Sequence, residues 1–122
     1  MARTRLEGLL SRVRDARTVA LVDASGESAV VVGAEMGGDV DGLGRSLVDQ
    51  WRAVDSEPDP LDGGYLRLFV VETDSFRILL GPVSESQCLM LVMGVAGNDG
   101  QARFELRRTL QELQRQADRI AV

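Results

Sequence analysis

Two places in this sequence carry residue types whose spacing could do chemistry, and each is tested against the pattern that chemistry needs. The first is the run Gly37-Gly38-Asp39-Val40-Asp41-Gly42-Leu43-Gly44-Arg45-Ser46. A phosphate-binding loop needs G-x-x-x-x-G-K-[ST], because backbone N–H groups cradle the phosphates and the Lys reaches them. Gly44-Arg45-Ser46 imitates its end, but Arg stands where Lys is needed and Asp39 stands at the first Gly position. A calcium loop starting at Asp39 would have Asp41 at its third position and Gly44 at its sixth. Its fifth position is then Leu43 and its closing Glu position Gln50, so two oxygen ligands are missing or weakened. The stretch reads as a loop in which Asp39 or Asp41 caps a helix.

The second place is Cys88, the single cysteine. A reactive thiol needs a neighbouring base or cation to hold it as thiolate. Cys88 opens the run Cys88-Leu89-Met90-Leu91-Val92-Met93-Gly94-Val95, which supplies neither, and it reads as a core thiol. One cysteine also excludes an internal disulfide and a cysteine-built metal site. The chain has no His, which removes the commonest general acid/base and the commonest metal ligand at neutral pH. The acidic residues fall on loops and helix surfaces, without an apolar setting that would tune them for acid–base work. No catalytic residue, no metal site and no cofactor is therefore expected, and the chain reads as a binding module and not an enzyme.

Charge narrows the partners. The net charge is −5 and all 14 basic residues are Arg. An acidic chain without a long basic run is a poor ligand for nucleic acid, where phosphate neutralisation supplies most non-specific affinity. No apolar run reaches the ~20 residues of a membrane span, and the start Met-Ala-Arg-Thr-Arg-Leu-Glu lacks the apolar region of a secretion signal. A cytoplasmic protein is expected, without membrane insertion, as one domain over residues 1–122.

The elements follow from periodicity. Leu6, Leu9, Leu10 and Val13 recur at helical spacing and predict a helix over 3–15, with Arg3, Arg5, Arg12 and Arg14 mostly on its solvated side. Strands are predicted at Thr18–Asp23 and Ala29–Val32, joined by the turn Ala24-Ser25-Gly26-Glu27. Leu43, Leu47, Trp51 and Val54, widened by Gly44 and Val48, form the stripe of a middle helix that ends near Val54. Trp51 on that stripe is either a core residue or an interface anchor. A breaker-rich acidic loop, Asp55–Gly64, leads to strands at Tyr65–Thr73, Ser75–Gly81 and Cys88–Val95. The last of these is apolar on both faces and must be covered on both, so it is expected at the centre of the sheet. Asn98 or Asp99 caps a final helix whose seam is Leu106, Leu110, Leu113, Ala117 and Ile120.

The order helix, two strands, helix, three strands, helix, together with Asn98-Asp99-Gly100-Gln101-Ala102-Arg103-Phe104-Glu105-Leu106-Arg107-Arg108 after the apolar strand, resembles the Roadblock (dynein light-chain) family over essentially the whole chain. The hairpin around Val22-Asp23…Gly26 is similar to that family's first hairpin, although the family often has Asp-Gly directly. The resemblance implies an α/β (α+β) fold of the profilin-like type. It has a five-stranded antiparallel sheet, ordered second, first, fifth, fourth, third, with helices on both faces. It also implies a homodimer through the third strand and the middle helix, with Leu43, Val54, Tyr65, Leu66, Arg67, Leu68, Phe69 and Val70 at the interface. Bacterial MglB-like members bind and regulate a Ras-like (MglA-type) small GTPase, in settings such as cell polarity and motility. By that resemblance the partner-binding residues are Gly44, Leu47, Val48 and Trp51, with Arg45 and Arg52 at the rim, either of which could act in trans. The alternative is an adaptor that binds another Roadblock protein or a polarity or motor component without acting on a GTPase. The bulk of Trp51 and Arg52 favours that alternative.

Overall fold

The structure, a computed structural model, describes residues 2–23, 25, 28–33, 44–51, 68–84 and 86–121, with the backbone alone at 28 and 117–121. The chain opens with helix α1 (Ala2–Arg12) and continues into β1 (Ala16–Asp23) and β2 (Ser28–Gly33). Residues 44–51 are helical and are called α2. Then come β3 (Phe69–Glu72), β4 (Phe76–Pro82), β5 (Gln87–Gly94) and helix α3 (Asp99–Ala121). The five strands form one antiparallel sheet in the order β2-β1-β5-β4-β3. This is the order expected from the resemblance, with β5 at the centre.

The pleat explains why β5 sits there. Leu89, Leu91 and Met93 point to one face and Met90 and Val92 to the other, and all five are fully buried. At about 1.5–3 kcal/mol for each fully buried large apolar side chain, only a strand covered on both sides gains from all five. On one face Leu89, Leu91 and Met93 join Val19 and Leu21 of β1, Leu79 of β4, Leu6 and Leu9 of α1, and Ala102, Leu106, Leu110 and Leu113 of α3. On the other, Met90 and Val92 join Ala20 and Val22, Ile78 and Leu80, and Leu47, Val48 and Trp51 of α2. The strand stops at Gly94, one residue short of the apolar run, and Val95 is exposed in the turn that follows.

The joints are held by local chemistry. Between α1 and β1, Asp15 lies in the left-handed region (φ 63°), and Ala16 N donates to the Val13 carbonyl at 3.3 Å. The Asp15 carbonyl accepts from Gly94 N at 2.9 Å, so the α1–β1 joint is fastened to the end of the central strand. Asn98, not Asp99, caps α3: Gln101 N donates to its Oδ1 at 3.0 Å and Ala102 N to its carbonyl at 3.0 Å. Ser25 N and Oγ both donate to Asp23 Oδ1, at 2.9 and 2.6 Å, which turns the chain after β1. The expected caps Asp39 and Asp41 and the loop Asp55–Gly64 lie outside the described residues.

Two predicted features are corrected. Arg5 and Arg12 are not a purely solvated face: Arg5 Nη1 meets Glu112 Oε2, and Arg12 Nε meets Glu105 Oε2, both at 2.8 Å. Each guanidinium stem lies along the α1–α3 boundary with its head on a carboxylate of the other helix. Cys88 is half-buried, packed beside the α2-side core and not inside it, because it lies one residue from the strand's start. Among the described residues no helix is long and apolar enough to cross a membrane.

Candidate partner-binding surface

The surface to be assessed lies on the α2 side of the sheet, next to its β3 edge. Helical spacing sorts the residues of α2 into two sets. Gly44, Leu47, Val48 and Trp51 are buried, and Arg45, Ser46, Asp49 and Gln50 are exposed. Burial of the first set against Ala20, Val22, Ile78, Leu80, Met90 and Val92 is what holds the helix to the sheet. On the exposed set, Arg45 Nε donates to the Ser25 carbonyl at 3.3 Å, which ties the start of α2 to the β1–β2 turn. Gln50 Nε2 donates to Ser46 Oγ at 3.4 Å along the helix.

Six residues were expected on a partner-binding surface, and the structure sorts them. Leu47, Val48 and Trp51 retain 3–6% of their accessible area, so a single copy of the chain has little of them to offer a partner. Gly44 is buried as well, Arg45 is exposed and Arg52 lies outside the described residues. Trp51 was open to two readings, and its side chain lies in the core, against Phe69 of β3. Asp49 and Gln50 were not singled out from the sequence. The signal was present, since they fall opposite the Leu47–Trp51 stripe.

β3 is the last strand in the sheet, bonded to β4 through the pairs Phe69–Leu80, Val70–Leu79, Val71–Ile78 and Glu72–Arg77. Its other side has no strand partner among the described residues, which leaves a row of backbone donors and acceptors for pairing. Phe69 and Val71 pack toward α2, and Val70 toward the opposite face, where Leu68 just before the strand also packs. Of the residues expected at a dimer interface, Leu68, Phe69 and Val70 are half-buried here. Leu43, Val54, Tyr65, Leu66 and Arg67 lie outside the described residues. The end of the edge strand is braced by charge: Glu72 Oε1 lies 3.0 Å from Arg77 Nε, and Arg77 Nη1 lies 3.8 Å from Asp99 Oδ1. Asp99 Oδ2 in turn accepts from Arg103 Nε at 2.8 Å. This chain of ions was not read from the sequence, because the β3–β4 register brings Glu72 to Arg77 and only the start of α3 beyond β5 brings Asp99 to Arg77.

Neither a protein-family model nor a curated protein matches the sequence. Solved structures do match in shape. An MglB with a tetrameric arrangement is 20% identical, with a TM-score of 0.85 over 97% of this chain and 88% of that one. The gliding protein MglB from Thermus thermophilus is 20% identical, with a TM-score of 0.82 over 97% and 89%. A Roadblock/LC7 domain from Streptomyces avermitilis is 20% identical, with a TM-score of 0.81 over 94% and 96%. With its sheet order, its α2 alone over one face among the described helices, and its α1–α3 pair over the other, this chain has the fold of the Roadblock/LC7 domain proteins.

Proposed function

We propose that this chain is a non-catalytic homodimer that binds and regulates a Ras-like small GTPase of the MglA type. The observation that carries the reading is an exposed polar face on α2 next to the edge strand β3, which has no further strand partner among the described residues, in a fold shared with MglB. Two copies joined through their β3 edges set their α2 helices side by side and double that face. In this reading Leu47, Val48 and Trp51 fix the helix from beneath. Arg45, Ser46, Asp49 and Gln50 meet the partner, with Arg52 beyond them. The module repositions the GTPase's own catalytic groups, and no arginine finger is required.

The test is GTP turnover by a partner GTPase with and without this chain, alongside gel filtration of the mixture. Altered turnover and co-elution are expected, and Arg45→Glu with Asp49→Arg on α2 should reduce both. Unchanged turnover with no complex would overturn the reading. A monomeric mass by light scattering at micromolar concentration would overturn the homodimer.

An adaptor role, in which the dimer binds another Roadblock protein or a polarity or motor component, is the second reading. It is favoured by the likeness to an MglB with a tetrameric arrangement. The bulk of Trp51 does not bear on the choice, because it lies under α2. Co-elution with unchanged turnover separates the adaptor from the regulator.

A further inference from the structure

The two sides of α3 differ in charge. On the side turned to α1, Glu105 and Glu112 are seven residues apart and meet Arg12 and Arg5, also seven apart, in reversed order. Two antiparallel helices are thus registered every second turn. On the side turned away from the sheet, Phe104, Arg108, Gln111 and Arg115 follow one another at spacings of four, three and four, and all four are exposed. Phe104 among them is 64% exposed, more than any other large apolar residue described. Arg107, Arg108 and Arg115 have no ion pair among the described residues, whereas Asp99, Glu105 and Glu112, the acids of α3 with described side chains, are all engaged. The charged residues of the outer ridge, Arg108 and Arg115, are thus both positive on a chain of net charge −5, and the neighbouring Glu112 is turned to Arg5.

A single exposed Phe needs no explanation, and neither does a solvated Arg. What the ridge adds is segregation of sign together with a repeat. Arg108 and Arg115 present on the outer side the same seven-residue spacing that Glu105 and Glu112 use on the inner side to hold a helix. We propose that this ridge docks an acidic helix of a partner protein, laid along α3, with carboxylates seven residues apart on Arg108 and Arg115 and an apolar side chain over Phe104. Arg is suited to this, since its planar fork takes a carboxylate two-pronged. Exposed pairs contribute little each, so the association is weak and salt-sensitive, with Phe104 as its apolar anchor. The ridge lies on the opposite side of the sheet from α2, and the inference does not depend on the GTPase reading.

The full chain is titrated against a labelled alanine-based helical peptide carrying glutamates at seven-residue spacing and one leucine a turn beyond. The same peptide with lysines for glutamates serves as control, and phosphatidylserine vesicles are tested in parallel. Saturable binding of the acidic peptide is expected, weakened by added salt. The double variant Arg108→Glu, Arg115→Glu should lower affinity about tenfold or more. Phe104→Ser should lower it several-fold, and the unfolding midpoint of each variant should match the parent. Absence of peptide binding would overturn the proposal, as would equal affinity of the double variant or of the lysine peptide. So would binding to vesicles but not to peptide, which assigns the ridge to a lipid surface instead.

Discussion

Trp51 of α2 and Phe69 of β3 meet with ring centroids 6.4 Å apart and planes tilted by 53°. The middle helix is thereby packed onto the strand at the edge of the sheet, the two elements assigned to partner binding. Tilted aromatic pairs of this kind add about 0.5–1.5 kcal/mol beyond their buried area. Trp51→Ala is expected to cost about 3–5 kcal/mol, seen as a lower urea midpoint with an unchanged slope. Trp51→Arg should cost more, because it drives a charge toward the same buried site. Such a variant that fails to bind a partner reports on folding, whereas Asp49 and Gln50 variants report on the surface.

Gly33 and Gly100 should respond in opposite directions to the same substitution. Gly33 has φ +105°, and a Cβ there would strike the carbonyl oxygen of Arg17 in the neighbouring strand. Backbone cannot move aside as a side-chain end can, so Gly33→Ala is expected to cost about 1–3 kcal/mol. Gly100 lies in the first turn of α3, and its Cβ would meet nothing nearer than Asn98 Oδ1 at 3.4 Å. Gly100→Ala should raise stability by up to about 1 kcal/mol. Thermal or chemical unfolding of the two variants side by side checks the contrast.

The two inter-helix ion pairs should differ in weight. Glu105 keeps 13% of its side-chain exposure and Glu112 keeps 31%. A double-mutant cycle on Arg12 and Glu105 is expected to give about 0.5–1 kcal/mol of coupling, and one on Arg5 and Glu112 less. Both couplings should shrink as salt is raised, the second one further, since the more exposed pair is better screened.

Asn98 caps the longest helix. Asn98→Ala should cost about 1 kcal/mol through the lost bond to Gln101 N, while Asn98→Asp should stay within a few tenths because it keeps an acceptor at the helix's positive end. Hydrogen exchange at the Gln101 amide is the local readout. It should speed up in the Ala variant and not in the Asp variant.

The doubly covered central strand and the apolar faces of the helices were legible in the sequence because burial imposes a period, whereas the full strand order came from the family resemblance. Cys88–Val95 could only be a strand covered on both sides, and the Leu106–Leu113 seam could only face a core. Most strand and helix ends shifted by one to three residues, as at Val95, where the chain leaves the ladder while its side chains are still apolar, and β3 begins at Phe69 although Leu68 was expected inside the strand. The candidate surface was legible in location and not in detail. Apolar residues at helical spacing mark both a core stripe and an interface stripe, and Leu47, Val48 and Trp51, which the resemblance put toward a partner, are buried against the sheet in the single chain. The charge relations were less legible still. Arg5 and Arg12 read as solvated because nothing near them in sequence pairs with them, although the matching seven-residue spacing of Glu105 and Glu112 was there to be found. The Glu72–Arg77 contact exists only once β3 and β4 are in register, and the Arg77–Asp99 contact only once α3 starts beside β4.

The placement of β5 between β1 and β4 also sets the order in which the molecule can be assembled. Leu21 pairs with Leu89 and Val19 with Leu91, so the N-terminal hairpin finds its main partner only after most of the chain has left the ribosome. Until then the apolar sides of β1 lack the strand and the helix α3 that cover them. Such long-range pairing slows folding and lengthens the exposure of strand edges. The C-terminal third, which holds β5 and α3, is thus the segment whose arrival turns a loose α1-hairpin unit and the β3–β4 pair into one cooperative body.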